Sequence, residues 1–101
     1  MSAAAFKILT GPEWAAFERD GVFRGAPIDL KDGFIHLSTA EQLEETLALH
    51  FADQTGLVIA EIDPAPFGDA LRWEASRGGQ LFPHLYADLP LSAVKVHSRR
   101  D

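Results

Sequence analysis

The apolar positions of the chain change period several times, and each change marks an element. Phe6-Lys-Ile-Leu9 is a short, mostly apolar run that predicts a strand. Thr10-Gly-Pro-Glu13 follows as a capping box with proline in the first turn, where its missing N–H costs nothing. Trp14 and Phe17 lie three apart on one helical face, as core residues do. Gly21 is the expected stop, so this helix should run to about Asp20. Val22 to Leu30 is less regular. Arg24-Gly-Ala-Pro27 predicts a bend or loop, because Pro27 biases Ala26 toward an extended conformation. Arg24 reads as a surface arginine, with an anion contact over a site as the other reading.

Alternation begins after Asp32-Gly33, which is turn chemistry. Phe34 to Leu37 predicts a strand with Ile35 and Leu37 on one face and Phe34, His36 and Ser38 on the other. Ser38-Thr-Ala-Glu41 fits a capping box, with Thr39 and Gln42 as an overlapping option. The helix after it should span Ala40 to about Ala52, burying Leu43, Leu47 and Phe51. Glu44 and Glu45 read as a solvated face, and His50 suits the negative end of the helix dipole.

Leu57-Val-Ile-Ala-Glu-Ile62 is apolar nearly throughout, which predicts a strand central in a sheet. Asp63 to Gly68 predicts a rigid turn or 3₁₀ connection. Leu71 to Ser76 alternates, with Leu71, Trp73 and Ala75 opposite Arg72, Glu74 and Ser76. Arg77-Gly-Gly79 breaks the pattern, and Gln80 to Tyr86 resumes it. Pro83 there argues for a sheet edge or loop. A last strand is expected over Ala93 to His97. The sum is about two helices near the N-terminus and five or six strands, an α+β order without repeating βαβ units.

Composition adds limits. The 101 residues fit one domain, 47% are hydrophobic, and the net charge is −6. Such a surface repels phosphate backbones, so a nucleic-acid partner is not expected. Lys95 to Arg100 is a small basic stretch that reads as a solvated last strand and frayed terminus, with a contact to one anion as the other reading. There is no cysteine, which excludes disulfides and thiolate chemistry. No apolar run approaches the roughly 18 residues of a membrane span, and Met1-Ser-Ala-Ala-Ala5 is too short for a signal sequence. A cytoplasmic protein is expected; the oligomeric state stays open.

Few polar groups off the helices carry chemistry: His36 and Ser38, Arg72 and Glu74, His84 and Tyr86. No metal is expected, because no His-x-His or similar close pair occurs. Neither Gly-x-Ser-x-Gly nor a glycine-rich phosphate loop is present. Glycosyl-transfer chemistry asks for ribose hydrogen bonds, a stacking aromatic and a carboxylate that steadies oxocarbenium charge. His36 and Ser38 could hold the sugar, Phe34, Trp73 or Tyr86 could stack, and Glu74 could supply the carboxylate.

Phe6-Lys-Ile-Leu with Glu13-Trp14, Gly33-Phe-Ile-His-Leu-Ser-Thr39, Arg72-Trp-Glu74 and Phe82-Pro-His-Leu-Tyr86 together resemble the DUF952 family over nearly the whole chain. That resemblance implies a compact split β-sheet fold like that of the ADP-ribosyltransferase-like superfamily, which binds NAD in a cleft. His36-Leu-Ser38 and Leu57 to Asp63 also resemble the order seen in NAD-dependent RNA 2′-phosphotransferases. It implies NAD as a substrate, with His36, Glu74 and His84 catalytic and Lys7, Ser38, Arg72, Trp73 and Tyr86 on the ligand. Many members have histidine where this chain has Lys7, and lysine there could keep a phosphate contact. The alternative is a non-catalytic module that binds a small ligand or a partner.

Overall fold

The computed structural model describes residues 4–76 and 78–100. The start of Met1 to Ala5 and Arg77 of the Arg77-Gly-Gly79 break lie outside those residues.

Strand β1 (Ala5–Leu9) leads into helix α1 (Gly11–Asp20) through the expected box: the Thr10 hydroxyl accepts from the Glu13 N–H, and the Glu13 side chain accepts from the Thr10 N–H. Gly21 closes α1 in the left-handed region, φ 75°. Beyond it come β2 (Val22–Phe23), α2 (Pro27–Asp32), β3 (Ile35–His36) and α3 (Ala40–His50). The second half holds β4 (Leu57–Ile62), a 3₁₀ segment Ala65–Ala70, β5 (Leu71–Ser76), β6 (Gln80–Leu85), β7 (Leu89–Pro90), a 3₁₀ turn Leu91–Ala93 and β8 (Val94–Arg100).

Every pairing among the described residues is antiparallel, giving an α+β architecture of two three-stranded sheets, β1-β4-β8 and β3-β6-β5, and a small β2-β7 ladder. Two backbone hydrogen bonds between Phe6 and Ser38, 2.7 and 2.9 Å, stitch β1 to the end of the β3 segment. The two larger sheets therefore meet at that point, and it is the seam on which the site is built.

β4 is central, and it is apolar because both its faces are covered. Val58, Ala60 and Ile62 join the main core with Trp14 and Phe17 of α1. Leu57 and Ile59 face the other way, against Leu47 of α3.

Several expectations need correction. Among the described residues there are three α-helices rather than two main ones: the expected loop holds over Arg24 to Ala26, but Pro27–Asp32 after it is helical. Among the described residues eight strands stand where five or six were expected; β2 and β7, two residues each, are the additions. Pro83 sits in the middle strand of its sheet, not at an edge. Its carbonyl accepts from the Leu37 N–H at 3.1 Å, but proline has no N–H to return, so the β3 ladder stops at His36. Lys95 to Arg100 is the exposed last strand as expected, but its end is not loose: Arg100 forks onto both carboxylate oxygens of Glu44, 3.1 and 2.7 Å.

The capping box of α3 is the Thr39–Gln42 pair, not Ser38–Glu41. The Phe6 bridge holds the Ser38 backbone extended, which shifts the cap by one residue. Thr39→Ala is therefore expected to cost about 1 kcal/mol in urea unfolding, whereas Glu41→Ala changes stability far less.

Candidate functional site

A cleft of about 510 Å³ opens at the seam, within the range of small-molecule sites. β1 supplies Phe6, Lys7 and Ile8; the β3 segment supplies His36, Leu37 and Ser38. Helix α3 adds Thr46 and His50, α2 adds Ile28 and Asp32, and the β5-β6 hairpin adds Ser76, Phe82 and His84. The walls are thus largely apolar, with a few polar groups converging on them.

The organising residue behind this cleft is Asp29, which is 1% exposed. Proline at the first position of α2 and glycine at its C-cap (Gly33, φ 86°) bound a helix of six residues, with Asp29 at its third position. Asp29 Oδ2 accepts from the Ala26 N–H at 2.8 Å and from Lys7 Nζ at 2.9 Å. Its Oδ1 accepts from the His36 N–H at 3.0 Å and faces His36 Nδ1 at 2.7 Å. Burial pushes this carboxyl up, but the His36 hydrogen bond and the charge and hydrogen bond of Lys7 outweigh it and lower it to about 2. One carboxylate thereby fixes β1, the entry to α2 and β3 together.

His36 is held at both ring nitrogens, since Nε2 lies 3.0 Å from Asp32 Oδ2. A carboxylate can only accept, so both contacts form together only on an imidazole that carries two protons. His84, 6% exposed, lies across from it with ring centroids 5.7 Å apart. Phe34 stacks on His84 at 4.1 Å and touches the His36 and Tyr86 rings. His84 Nδ1 is 2.8 Å from Glu74 Oε1, which also accepts from the Tyr86 hydroxyl at 2.7 Å. Those hydrogen bonds, Tyr86 first and His84 second, hold the Glu74 carboxyl below its usual range, and Glu74 in turn raises Tyr86.

The sequence candidates therefore divide. His36, His84 and Ser38 come together on the cleft, and Glu74 and Tyr86 stand directly behind His84. Lys7 lines the cleft, but its ammonium is bound by Asp29 and the His36 carbonyl, 2.9 and 3.0 Å. Arg72 lies over the Tyr86 ring, 4.7 Å from its centroid, outside the cleft lining. Trp73 is on the opposite face of β5 from Glu74, paired with Pro83 and 40% exposed, so it does not join the site. Ser38 is no helix cap: its hydroxyl meets the Thr46 hydroxyl at 3.1 Å. Asp29, Asp32 and Thr46 were not among the candidates. The signal for the first two was local, a proline, an aspartate two residues later and a glycine four beyond that, which is the grammar of a very short helix.

Among the described residues no group of three His, Asp or Glu is arranged to hold a metal ion. No described helix is long and apolar enough to cross a membrane.

These features define a small α+β protein with a histidine-bearing apolar cleft where two antiparallel sheets meet. The chain belongs to the DUF952 family, described as proteins of unknown function, whose pattern matches residues 8–97. It is similar to the crystal structure of protein CC0527 from Caulobacter crescentus, at 47% identity and a TM-score of 0.93, over 97% of this chain and 86% of that one. The solution NMR structure of CC0527 matches with a TM-score of 0.84, over 94% and 82%. No curated protein matches the chain.

Proposed function

We propose that the cleft at the sheet seam binds a small nucleotide-type ligand, NAD or ADP-ribose, with His36 and His84 as its polar wall. The convergence of the two imidazoles, 5.7 Å apart, on an apolar cleft of about 510 Å³ carries this reading. The resemblance of the His36-Leu-Ser38 strand to ADP-ribosyltransferase-like proteins, with their split-sheet fold, supports the ligand class. Ser38 then meets one ribose hydroxyl, and His36 meets another by exchanging its contact to the half-exposed Asp32 for the ligand. In a glycosyl-transfer version Glu74 acts through His84, because its carboxylate bonds to His84 and Tyr86 and lies off the cleft lining.

A second reading, binding without transfer, is favoured by Lys7. It is the one Lys or Arg among the described lining residues, and Asp29 already neutralises it, as Asp29 and Asp32 do His36, so no cation among the described lining residues is spare for a pyrophosphate. Calorimetric titration with NAD and ADP-ribose separates these readings. Wild type should give saturable heat that His36→Ala weakens by about tenfold or more, the scale of one buried hydrogen bond. Bound NAD that releases no nicotinamide would select the binding module. No heat at millimolar concentrations of either compound would overturn the nucleotide reading.

A further inference from the structure

The hydrogen-bond inventory of the cleft says which end of a ligand it takes. We infer that the cleft recognises an uncharged ring bearing N–H or O–H donors, which His84 holds by accepting at Nε2. This rests on the cleft being a ligand site and specifies the chemistry of its occupant.

His84 is more than nine-tenths buried and lines the cleft. Its Nδ1 is spent on Glu74, a carboxylate that can only accept, so in the neutral ring the proton sits on Nδ1. Nε2 is then a lone pair, and no described residue donates to it. Phe34 stacked on the ring and the Tyr86–Glu74 hydrogen bond hold that orientation.

Ser38 has the same polarity. The Thr46 hydroxyl donates to the Gln42 carbonyl at 3.0 Å, and its one proton being placed there, the 3.1 Å contact to Ser38 forms with Ser38 as donor. The Ser38 oxygen is then left as an acceptor, and it is 4% exposed. Asp32 lies on the same wall with its carboxylate paired to His36 Nε2 at 3.0 Å. Two buried acceptors, with the lining lysine and His36 each already paired to a carboxylate, favour a donor over an anion. The apolar side chains around them, Phe6, Ile8, Leu37 and Phe82, suit a ring. For a nucleotide, the base or carboxamide end enters and the phosphates stay outside.

Benzamide and benzoate share one ring and differ in this respect alone: the first brings an N–H donor, the second a charge. Amide-resolved NMR titration of the whole chain with each compound tests the inference. Benzamide should move the amides of His36, Ser38 and His84, with benzoate at least about tenfold weaker, the penalty for leaving a buried acceptor facing an anion. His84→Phe keeps an aromatic ring against Phe34 and should abolish the preference. Equal or tighter benzoate binding in wild type would overturn the inference, and so would an unchanged preference in His84→Phe. Cleft amides that neither compound moves would overturn it as well. The wider reading falls separately, only if adenosine and ADP-ribose also leave those amides unmoved.

Discussion

Asp29→Ala is expected to lower the free energy of unfolding by about 3–5 kcal/mol, the range for stranding one partner of a buried ion pair. The carboxylate is 1% exposed and has four donors around it. Its removal leaves the Lys7 ammonium, whose side chain is 7% exposed, with one carbonyl as partner. It also strands the Ala26 and His36 N–H groups, which α2 and β3 need satisfied. Urea unfolding measures the loss; a change below about 1 kcal/mol, the scale of an exposed pair, would contradict the account. Pairing the change with Lys7→Met, as in a Lys7→Met, Asp29→Leu double variant, should restore much of the stability, because no charge is then buried unpaired. His36 loses its orienting carboxylate in either case, so ligand binding should not return with the stability.

Acid should act through the same residue. The folded carboxyl sits at about 2 against an ordinary value of 3.8, so the unfolded chain binds the proton more readily. Stability from Asp29 is therefore complete above about pH 4 and is lost as the pH falls from there toward 2. The full amount is about 2 kcal/mol. Glu44 and Glu74, also lowered, act in the same direction from the surface. Urea midpoints measured from pH 5 to pH 2 should fall for wild type, and the slope should be clearly shallower in Asp29→Ala. Equal slopes would show that the carboxylate is not tuned by its partners.

Much of the scaffold could be read from the chain because its signals were local. Caps bracket α1, and the two-sided burial of β4 left a run that is apolar but for Glu61. Helix α2 escaped because its pattern reports no core. Ile28 and Leu30 are 54% and 65% exposed, and the one buried residue of the helix is an aspartate. Two-residue strands such as β2 and β7 fall below the length at which alternation can be seen.

The site was legible in part for a related reason. Alternation told which side chains share a face, so His36 with Ser38, and Glu74 apart from Trp73, could be sorted on paper. It does not tell which face is covered. Trp73 was kept as a stacking candidate although its face of β5 turns away from the cleft. Lys7 looked like a ligand contact because its partner Asp29 lies 22 residues away, and a non-local ion pair leaves no trace in spacing. Ser38 and Thr39 offered two caps, and only the β1 seam decides between them.

The central claim is that His36 and His84 face one ligand in the seam cleft. Its most direct test is an amide-resolved NMR titration of the intact chain with ADP-ribose. Saturable shifts are expected at the cleft lining, foremost the segments 6–8, 36–38 and 82–84, with affinity weakened about tenfold or more in His36→Ala. Shifts that map elsewhere, or persist unchanged in that variant, would contradict it.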